Sequence, residues 1–535
     1  MSASDLGLIR PPSAVTARRP AGSMRWLVGY ATLGLIAGAL ALLTIRSAPQ
    51  PTAIAFAVVL FGAVCIVARP TVGVYLTVFL TVVGDAQLAW WYPFIKNLSS
   101  PESVLYVHDA FIVSPLELYL VLTAVVWLLG RLDVNRPPFE RGALLWPVMA
   151  FAGLAAVGFA VGVGTGGDLN VALWEVRPIA YVPLLYVLAT NLFTSRRQYR
   201  MLLAVAVAAI ALESIHALYV IFTASGPEAD RLAGLGYLEH SASLHANTLI
   251  VWLAAMAAVG ERAFGRKLAL ATVAIPVGIA YLYAERRSAV VALLAALLLV
   301  AIVLHRHRRA AFWAIVPLAS LLLGLYLVAF WNVDGPIGLP AQAIKSTIAP
   351  SQLTPADMSS DFYRRVETHN LIETIRLNPV LGQGFGHRFI QFLPLPYIPF
   401  VWADYLPHNS VLWIWMNMGA AGFVAMLYLF GAAIGTGARA TMQLRSRDGA
   451  ALALTGTLFI VMYAIYAYVD IAWDIGSMVL LGIILALIGN VDRLDDPAPD
   501  TDLRAPAPSP STDADTSSGP IAVAFGPAHS GRRAS

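Results

Sequence analysis

The chain has 535 residues, of which 58% are hydrophobic and 12% are charged. Soluble domains carry about twice that share of charged residues, so the composition excludes an ordinary soluble protein and indicates an integral membrane protein. The formal net charge of +4 is accounted for by the basic loops described below, and we expect no nucleic-acid partner.

Uninterrupted apolar runs of about 20 residues predict the membrane-spanning helices. The runs in this chain predict an all-α polytopic membrane protein with about 14 transmembrane helices, within a range of 12 to 14. They cover residues 26–45, 52–68, 71–91, 111–130, 143–164, 178–193, 200–223, 244–260, 267–284, 288–304, 310–331, 408–434, 450–469 and 475–490.

Arginines in alternate loops predict which side of the membrane each loop occupies. Arginines precede the first run and no small-residue cleavage site follows it, so we expect an uncleaved first span and a cytoplasmic amino terminus. Every second loop counted from there is basic, as the positive-inside rule requires. Those loops contain Arg69, Arg131, Arg136, Arg141, Arg196, Arg197, Arg200, Arg262, Arg266, Lys267, Arg306, Arg308, Arg309, Arg439, Arg445 and Arg447.

The apolar runs divide the chain into five segments. Residues 1–24 and 492–535 contain little that could form a core, and we expect both to be disordered in the cytoplasm. Residues 25–331 hold the first eleven transmembrane helices, and residues 408–491 hold helices 12 to 14. Between them, residues 332–407 form one large loop, which the alternation of basic loops places on the extracytoplasmic, periplasmic side.

The large loop contains one clear helical segment. Residues 361–377 lack Gly and Pro, follow candidate caps at 359–361 and stop at the Asn-Pro pair at 378–379, which predicts a helix. Residues 382–386 then carry glycine at every second position. Because the spacing is wrong for a dinucleotide-binding loop and a helix precedes it, we exclude a nucleotide site and predict tight turns or a close approach of the backbone to a ligand.

Cations on the predicted extracytoplasmic side are informative because the positive-inside rule disfavours lysine and arginine there. In the predicted topology they share that side with the pair His408 and Asn409, which opens the twelfth span. These cations are Arg177, Arg231, Arg286, Arg287, Arg364 and Arg365.

The order of these features resembles the bacterial O-antigen ligase and Wzy-type polysaccharide polymerase superfamily, a group of Wzy_C-like membrane glycosyltransferases. The resemblance covers about residues 170–425. It rests on Arg177 within the segment 174–178, the Glu-Arg-Arg-Ser turn at 285–288, the arginine-bearing loop helix, the segment 378–384, and His408-Asn409 with Gly419 and Gly422.

The resemblance implies both a fold and an activity. It implies a GT-C-like membrane glycosyltransferase that moves a glycan from an undecaprenyl-diphosphate-linked donor to the hydroxyl of a glycan or lipid-glycan acceptor. It also implies a single inverting displacement without a metal or other cofactor, consistent with outer loops that lack an acidic pair at metal-binding spacing. The implied location is the bacterial inner (cytoplasmic) membrane, among membrane lipids, with the active site facing the periplasm.

The chemistry of that reaction suggests a role for each residue type. Negative charge grows on the departing diphosphate, and guanidinium groups stabilise it through paired hydrogen bonds. Arg177, Arg287 and one of Arg364 and Arg365 are therefore the expected diphosphate ligands, with Arg286 as a further candidate. His408 is the expected catalytic base, because imidazole accepts a proton at ordinary pH. The candidate acceptor or sugar contacts are Asn409, Arg231, Trp402 and Tyr405.

Several other functions stay open at this stage. A transporter or flippase of lipid-linked saccharides would also span the membrane many times, but it would carry charges in mid-span, where Glu117 and Glu213 are the main ones. A protein O-oligosaccharyltransferase also fits the motifs. Ligase and polymerase share donor and base, so the sequence does not separate them.

Some polar residues have a competing structural interpretation. His369, Asn370 and His387 lie in the same loop as His408 and compete for its role. For His240, His245 and Asn247 we favour structural hydrogen bonding over contact with a sugar. Gly419 and Gly422 are predicted to permit close packing of helices.

Overall fold

The computed structural model describes residues 50–84, 96–100, 105–108, 111–132, 138–224, 238, 240–398 and 402–495. Every long element in these residues is an α-helix, and the described ranges contain no β-strand, which confirms the all-α prediction. The first ten helices are α1 Gln50–Ala68, α2 Thr71–Gly84, α3 Pro115–Arg131, α4 Leu145–Gly164, α5 Leu169–Leu192, α6 Arg196–Thr223, α7 Ala242–Ala258, α8 Phe264–Tyr283, α9 Arg287–His307 and α10 Arg309–Phe330. The others are α11 Leu339–Ile348, α12 Pro355–Leu377, α13 Ser410–Gln443, α14 Arg447–Val469, α15 Ile475–Gly489 and α16 Asp492–Asp495.

The apolar helices follow the predicted membrane spans. Within the described residues, 8 helices are long and apolar enough to cross a membrane, and shorter apolar helices accompany them. The long ones are α4, α5, α6, α8, α9, α10, α13 and α14. The predicted run at 26–45 lies outside the described residues, so the total of about 14 stays a prediction.

The helices differ in how deeply they are packed. α14 and α15 are surrounded by other helices and have nearly continuous buried sequences, whereas α10 has no buried residue. Small residues allow the close contacts at the centre: a Cβ atom at Gly482 would lie 3.0 Å from the carbonyl oxygen of Val182 on α5. A side chain there would push α15 away from α5. Such close contacts matter because helices in a bilayer are held together by tight packing.

The fifth helix begins earlier than predicted, which corrects the expected position of Arg177. The predicted span at 178–193 leaves Arg177 just outside the helix, but α5 begins at Leu169 after a cap in which Asp168 Oδ1 accepts from the backbone of Asn170 at 2.8 Å. Polar residues lowered the hydropathy of this first part. They are accommodated because Glu175 and Arg177 are bound by other parts of the protein.

The loop helix also begins earlier than the predicted residue 361. α12 starts at Pro355, where Thr354 is the N-cap and its hydroxyl accepts from the backbone of Asp357 at 3.2 Å. Proline fits the first helical position because its missing N–H would have no helical partner there. The extra residues place Asp357 on the same helix as Asp361 and Arg364.

Gly419 interrupts α13 where the glycine-rich segment 382–386 packs against it. Its φ of 65° and ψ of −173° break the helix, and Ala420 N donates to Pro379 O at 3.0 Å instead of to the preceding turn. The freed carbonyl of Met416 accepts from Gln383 N at 2.8 Å. A Cβ atom at Gly419 would lie 2.1 Å from Val380 O, so this position requires glycine.

The glycines of segment 382–386 bring backbone close to backbone. Gly384 has a φ of 83°, and a Cβ atom there would lie 2.1 Å from Gly162 N on α4. These glycines therefore approach the protein's own main chain, whereas the sequence predicted tight turns or an approach to a ligand. The segment fixes the loop after α12 against both α4 and α13.

At the amino-terminal end of α14, one aspartate forms ion pairs with three arginines from two predicted cytoplasmic loops. Asp448 Oδ2 lies 2.8 Å from Arg200 Nη1 and 3.5 Å from Arg196 Nε, and Asp448 Oδ1 accepts from Arg266. The carboxylate also lies in the first turn of α14, where negative charge is favourable. The other end of α14 leads to Asp470, so the basic loops and the site described below lie at opposite ends of this helix.

Replacing Asp448 with Asn should destabilise the fold because three arginines would lose their shared counter-charge. Removing one partner of a buried ion pair costs about 3 kcal/mol or more, and the Asp448 side chain is only 10% exposed. The measurement is the apparent melting temperature of the purified protein in detergent. Asp492→Asn, an exposed substitution, is the matched control, and an equal melting temperature for both variants would contradict the prediction.

Candidate active site

His408 is held by a buried carboxylate from the loop helix. Its Nδ1 atom lies 3.1 and 3.2 Å from the two carboxylate oxygens of Glu367, and its backbone N–H donates to Glu367 Oε2 at 2.8 Å. Because a carboxylate only accepts hydrogen bonds, this contact places the ring hydrogen on Nδ1. The Nε2 atom of the neutral ring then carries a lone pair, which is the form that a general base requires.

The ring of His408 is enclosed on two sides but not covered. Its side chain is 18% exposed, whereas Glu367 is 1% exposed. Tyr363 packs edge-on against it, with ring centroids 5.7 Å apart, and His240 lies 6.3 Å away by the same measure. Burial, followed by the charges of Glu367 and Asp404, raises the pKa of Tyr363 to about 12, so this phenol stays neutral.

Asp470 connects the neighbouring elements of the site. Its Oδ1 atom lies 3.0 Å from His240 Nδ1, and its Oδ2 atom accepts from Ser288 at 3.3 Å. Arg364 Nη2 lies 3.8 Å from Oδ2. Burial raises the pKa of this fully buried carboxyl group. The hydrogen bond from His240 and the positive charges of His240, Arg364 and Arg286 lower the pKa by more, so it lies well below its usual value.

A tight turn places two arginines at the start of α9. Glu285 has a φ of 53°, a left-handed conformation that residues with a Cβ atom rarely adopt. Burial raises the pKa of Glu285, as does the nearby Asp357, while Arg286 opposes the shift. Arg286 is the N-cap residue of α9 and Arg287 is its first helical residue, so the turn leaves both guanidinium groups at the site end of the helix.

Two carboxylates of α12 hold Arg287. Its Nη2 atom donates to Asp361 Oδ1 at 2.9 Å and lies 3.4 Å from Asp357 Oδ1. α12 therefore provides both the carboxylates that bind this arginine and the glutamate that binds His408.

Three arginines of the site retain nitrogen atoms with no protein partner. These atoms are buried, and none of the described residues accepts a hydrogen bond from them. They are Arg286 Nε, Arg287 Nη1 and Arg364 Nε. Unpaired donors on charged groups are costly to bury, and the oxygen atoms of a bound anion are the kind of acceptor that they lack.

Arg177 has protein partners on each of its guanidinium nitrogens. Its Nε and Nη2 atoms bind the two oxygens of Glu117, the latter at 2.5 Å, and its Nη1 atom donates to Asn97 at 2.6 Å. Glu117 also belongs to the capping box that begins α3. A role for Arg177 in binding diphosphate stays a prediction.

The two arginines of α12 lie on different faces. Arg364 points toward Asp470, whereas Arg365 is exposed. Of these alternatives, the described geometry brings Arg364 into the cluster with Arg286 and Arg287. Arg231 lies outside the described residues.

The candidate sugar contacts take part in local packing. Asn409 caps α13 by accepting from Leu412 N at 3.0 Å. Trp402 stacks on Trp174 of α5 with ring centroids 5.0 Å apart, and Tyr405 accepts from Arg388 Nε at 3.0 Å. The two aromatic rings lie just before His408 in the chain, and their contact with a sugar stays a prediction.

The other histidines and amides considered from the sequence either bond another part of the protein or are exposed. His387 lies 2.9 Å from the hydroxyl of Thr165, and Asn370 bonds the backbone of Leu393 through both side-chain atoms, at 2.8 Å each. His369 is exposed. His245 and Asn247 are buried within the helices, where they bond Ser477 and Ala289, in agreement with the structural interpretation.

The carboxylates that organise the site were not predicted from the sequence. They are Glu367, Asp361, Asp357 and Asp470. One signal was present: 357, 361, 364 and 367 recur every three or four residues and so share one face of a helix. In the described residues, no group of three His, Cys, Asp or Glu side chains could hold a metal ion.

These features define the class of protein: a polytopic helical membrane protein with a carboxylate-held histidine and an arginine cluster at one end of its helices. Residues 271–427 match the family model described as O-Antigen ligase. This segment runs from α8 into α13 and contains the 285–288 turn, α12, His408 and Gly419, so the family resemblance found in the sequence is confirmed over these residues. A search of curated proteins found no match for the chain.

Proposed function

We propose that the protein is a membrane glycosyltransferase of cell-envelope polysaccharide biosynthesis, which moves a glycan from undecaprenyl diphosphate to a hydroxyl group of a glycan or lipid-glycan. The observation that carries this proposal is His408, held at Nδ1 by the buried Glu367 of α12, a helix that also carries Arg364 and binds Arg287, both of which have an unpartnered nitrogen. The match of residues 271–427 to the O-antigen ligase model supports the same class.

The arginine cluster suits a departing diphosphate. When the bond between the anomeric carbon and the phosphate oxygen breaks, its electron pair stays on that oxygen, where fixed positive groups stabilise it. Arg286, Arg287 and Arg364 each have a free donor for this purpose. The carboxylates of Asp361 and Asp470 hold two of these side chains in place without using all their donors.

His408 would act on the acceptor. Its Nε2 atom takes the proton of the acceptor hydroxyl as the oxygen attacks the anomeric carbon from the side opposite the diphosphate. A single displacement of this kind inverts the anomeric centre and needs no covalent enzyme intermediate. Glu367 then faces the positive charge that develops on the imidazole ring, as the aspartate of a catalytic triad does.

The proposed location follows from the loop charges. The basic loops predicted to be cytoplasmic meet near Asp448, whereas the His408 site lies toward the other end of α14. We therefore place the site on the extracytoplasmic, periplasmic side of the inner membrane. The GT-C-like arrangement and the total of about 14 spans are part of this proposal.

A transporter of lipid-linked saccharides is the main alternative. Such proteins usually bind their cargo near the middle of the membrane between discontinuous helices. Glu117, which we expected in mid-span, lies in the first turn of α3 and is bound at both oxygens by Arg177. The arginines with unpartnered nitrogens belong to the turn at one end of α9 and to the loop helix α12. These placements favour chemistry at a membrane surface over passage through it.

Replacing Arg287 with Lys should lower glycan transfer by about 10²-fold, the usual effect of losing one transition-state donor. An ammonium group keeps the charge but cannot bind Asp361 and a phosphate oxygen with the fixed geometry of a guanidinium fork. The measurement is the initial rate of transfer by purified protein in proteoliposomes. Arg376→Lys on the exposed surface of α12 is the control, and normal transfer by both variants would remove Arg287 from the site.

Product analysis tests the proposed function and its finer alternatives. Wild-type protein in proteoliposomes should convert a glycan linked to undecaprenyl diphosphate into a product linked to the acceptor. A ladder of lengthening products would indicate a polymerase, one discrete product a ligase, and a glycosylated peptide a protein O-oligosaccharyltransferase. Absence of transfer to every one of these acceptors would count against a glycosyltransferase.

A further inference from the structure

A second histidine is held in the same way as His408. His240 lies immediately before α7, and its Nδ1 atom is 3.0 Å from Oδ1 of the fully buried Asp470. The carboxylate accepts, so Nδ1 carries a hydrogen. The site thus contains two imidazole rings, each oriented by its own buried carboxylate, with ring centroids 6.3 Å apart.

The Nε2 atom of His240 is available for a ligand. None of the described residues forms a hydrogen bond with it, and the side chain is 33% exposed. Asp470, which holds the other ring nitrogen, also lies 3.8 Å from Arg364 Nη2. His240 is therefore tied, through one carboxylate, to an arginine that has a buried unpartnered nitrogen.

The ring of His240 is not needed to fix its own backbone. The carbonyl oxygen of His240 accepts a hydrogen bond from the buried Tyr466 hydroxyl. Ser410 Oγ separately donates to the carbonyl oxygen of Asp470 at 2.9 Å. These contacts hold both main-chain positions without the imidazole.

The charges around the two histidines differ. Around Asp470 are Arg364 and Arg286, so the second pair lies on the cationic side of the site. Glu367 instead pairs with His408 alone in the described residues. The ring of His408 is therefore suited to accepting a proton, whereas the ring of His240 lies among the groups that would bind an anion.

We propose that His240 is a catalytic residue that, as an imidazolium with a hydrogen on each ring nitrogen, donates a hydrogen bond from Nε2 to the leaving diphosphate, completing an anion site formed with Arg286, Arg287 and Arg364. This inference rests on the proposed function. As the carbon–oxygen bond to the diphosphate breaks, its electron pair passes to the phosphate oxygen, which accepts the hydrogen bond from His240. The acceptor oxygen forms the new bond to the anomeric carbon, and its proton passes to His408.

The matched variants His240→Asn and His240→Ala separate contact with the substrate from support of Asp470. An Asn amide nitrogen occupies about the place of Nδ1, so His240→Asn keeps the hydrogen bond to Asp470 and removes only the Nε2 donor. We expect it to retain the wild-type melting temperature and to transfer glycan about 10²-fold more slowly. His240→Ala should show the same loss together with a lower melting temperature.

A binding measurement gives a result that does not depend on turnover. His240→Asn in nanodiscs should bind undecaprenyl diphosphate about 10-fold more weakly than wild type does, as expected for loss of a hydrogen bond to a charged group. His387→Asn, whose ring contacts Thr165, is the control and should bind like wild type. Weaker binding with no transfer by wild type would support the diphosphate site while refuting the glycosyltransferase.

Two results would overturn the inference. Wild-type transfer by His240→Asn would show that His240 only positions Asp470. Wild-type affinity of His240→Asn for undecaprenyl diphosphate would show that Nε2 makes no contact with the leaving group.

Discussion

Replacing His408 with Ala should lower the rate of glycan transfer by about 10³-fold, within the range that general-base catalysis contributes. Glu367 occupies Nδ1 of His408 and leaves Nε2 to accept the proton of an attacking hydroxyl. Donor binding should change little, since the arginine cluster is untouched. The measurement is the single-turnover rate together with the dissociation constant of the donor.

The variant His408→Asn separates loss of the catalytic base from loss of structure. Alanine leaves the buried carboxylate of Glu367 without its ring partner, which is costly, whereas an Asn amide can still donate to it from about the place of Nδ1. Both variants should be inactive, and His408→Asn should retain the wild-type melting temperature. His369→Ala, an exposed histidine of α12, is the control. Full activity of His408→Asn would move the base elsewhere.

Replacing Glu367 with Gln should also lower the rate of transfer by about 10³-fold, although Glu367 touches no substrate. The carboxylate accepts from both the backbone and Nδ1 of His408. A Gln side chain has only one acceptor oxygen, and its NH₂ group would face Nδ1 and favour a hydrogen on Nε2 instead. Loss of the correct tautomer and of the counter-charge has an effect of about 10⁴-fold in serine proteases.

Rescue separates this positioning role from a purely structural one. Glu367→Asp keeps a carboxylate and should recover part of the rate, while Glu367→Gln should keep the donor affinity and lose turnover. Glu373→Gln, which removes a surface pair with Arg376 on the same helix, should behave like wild type. Equal turnover of Glu367→Gln and wild type would mean that the tautomer of His408 is set by another group.

The sequence predicted the chemical groups of the site better than their connections. His408 and the arginine pair at 286–287 were identifiable because they stand out from apolar runs. Glu367 was not, because a carboxylate on a loop helix has the same local pattern whether it faces water or a histidine 41 positions along the chain. Only the packing of α12 against the start of α13 shows that its side chain is 1% exposed.

Helix ends show the same limit. The start of α5 was predicted nine residues too late because Trp174, Glu175 and Arg177 interrupt the apolar run. In the fold, Glu175 accepts from Gly386 N at 2.6 Å and Arg177 binds Glu117. These polar groups are satisfied by partners distant in sequence. Hydropathy alone therefore places the start of α5 too late in the chain.

The most direct test of the central claim is the amount of carrier diphosphate released per glycan transferred, measured with a donor labelled in both its lipid and its sugar. Wild-type protein in proteoliposomes should release one undecaprenyl diphosphate for each glycosidic bond formed, and His408→Asn should release almost none. Movement of the doubly labelled lipid across the bilayer without release of diphosphate would contradict the account and indicate a transporter.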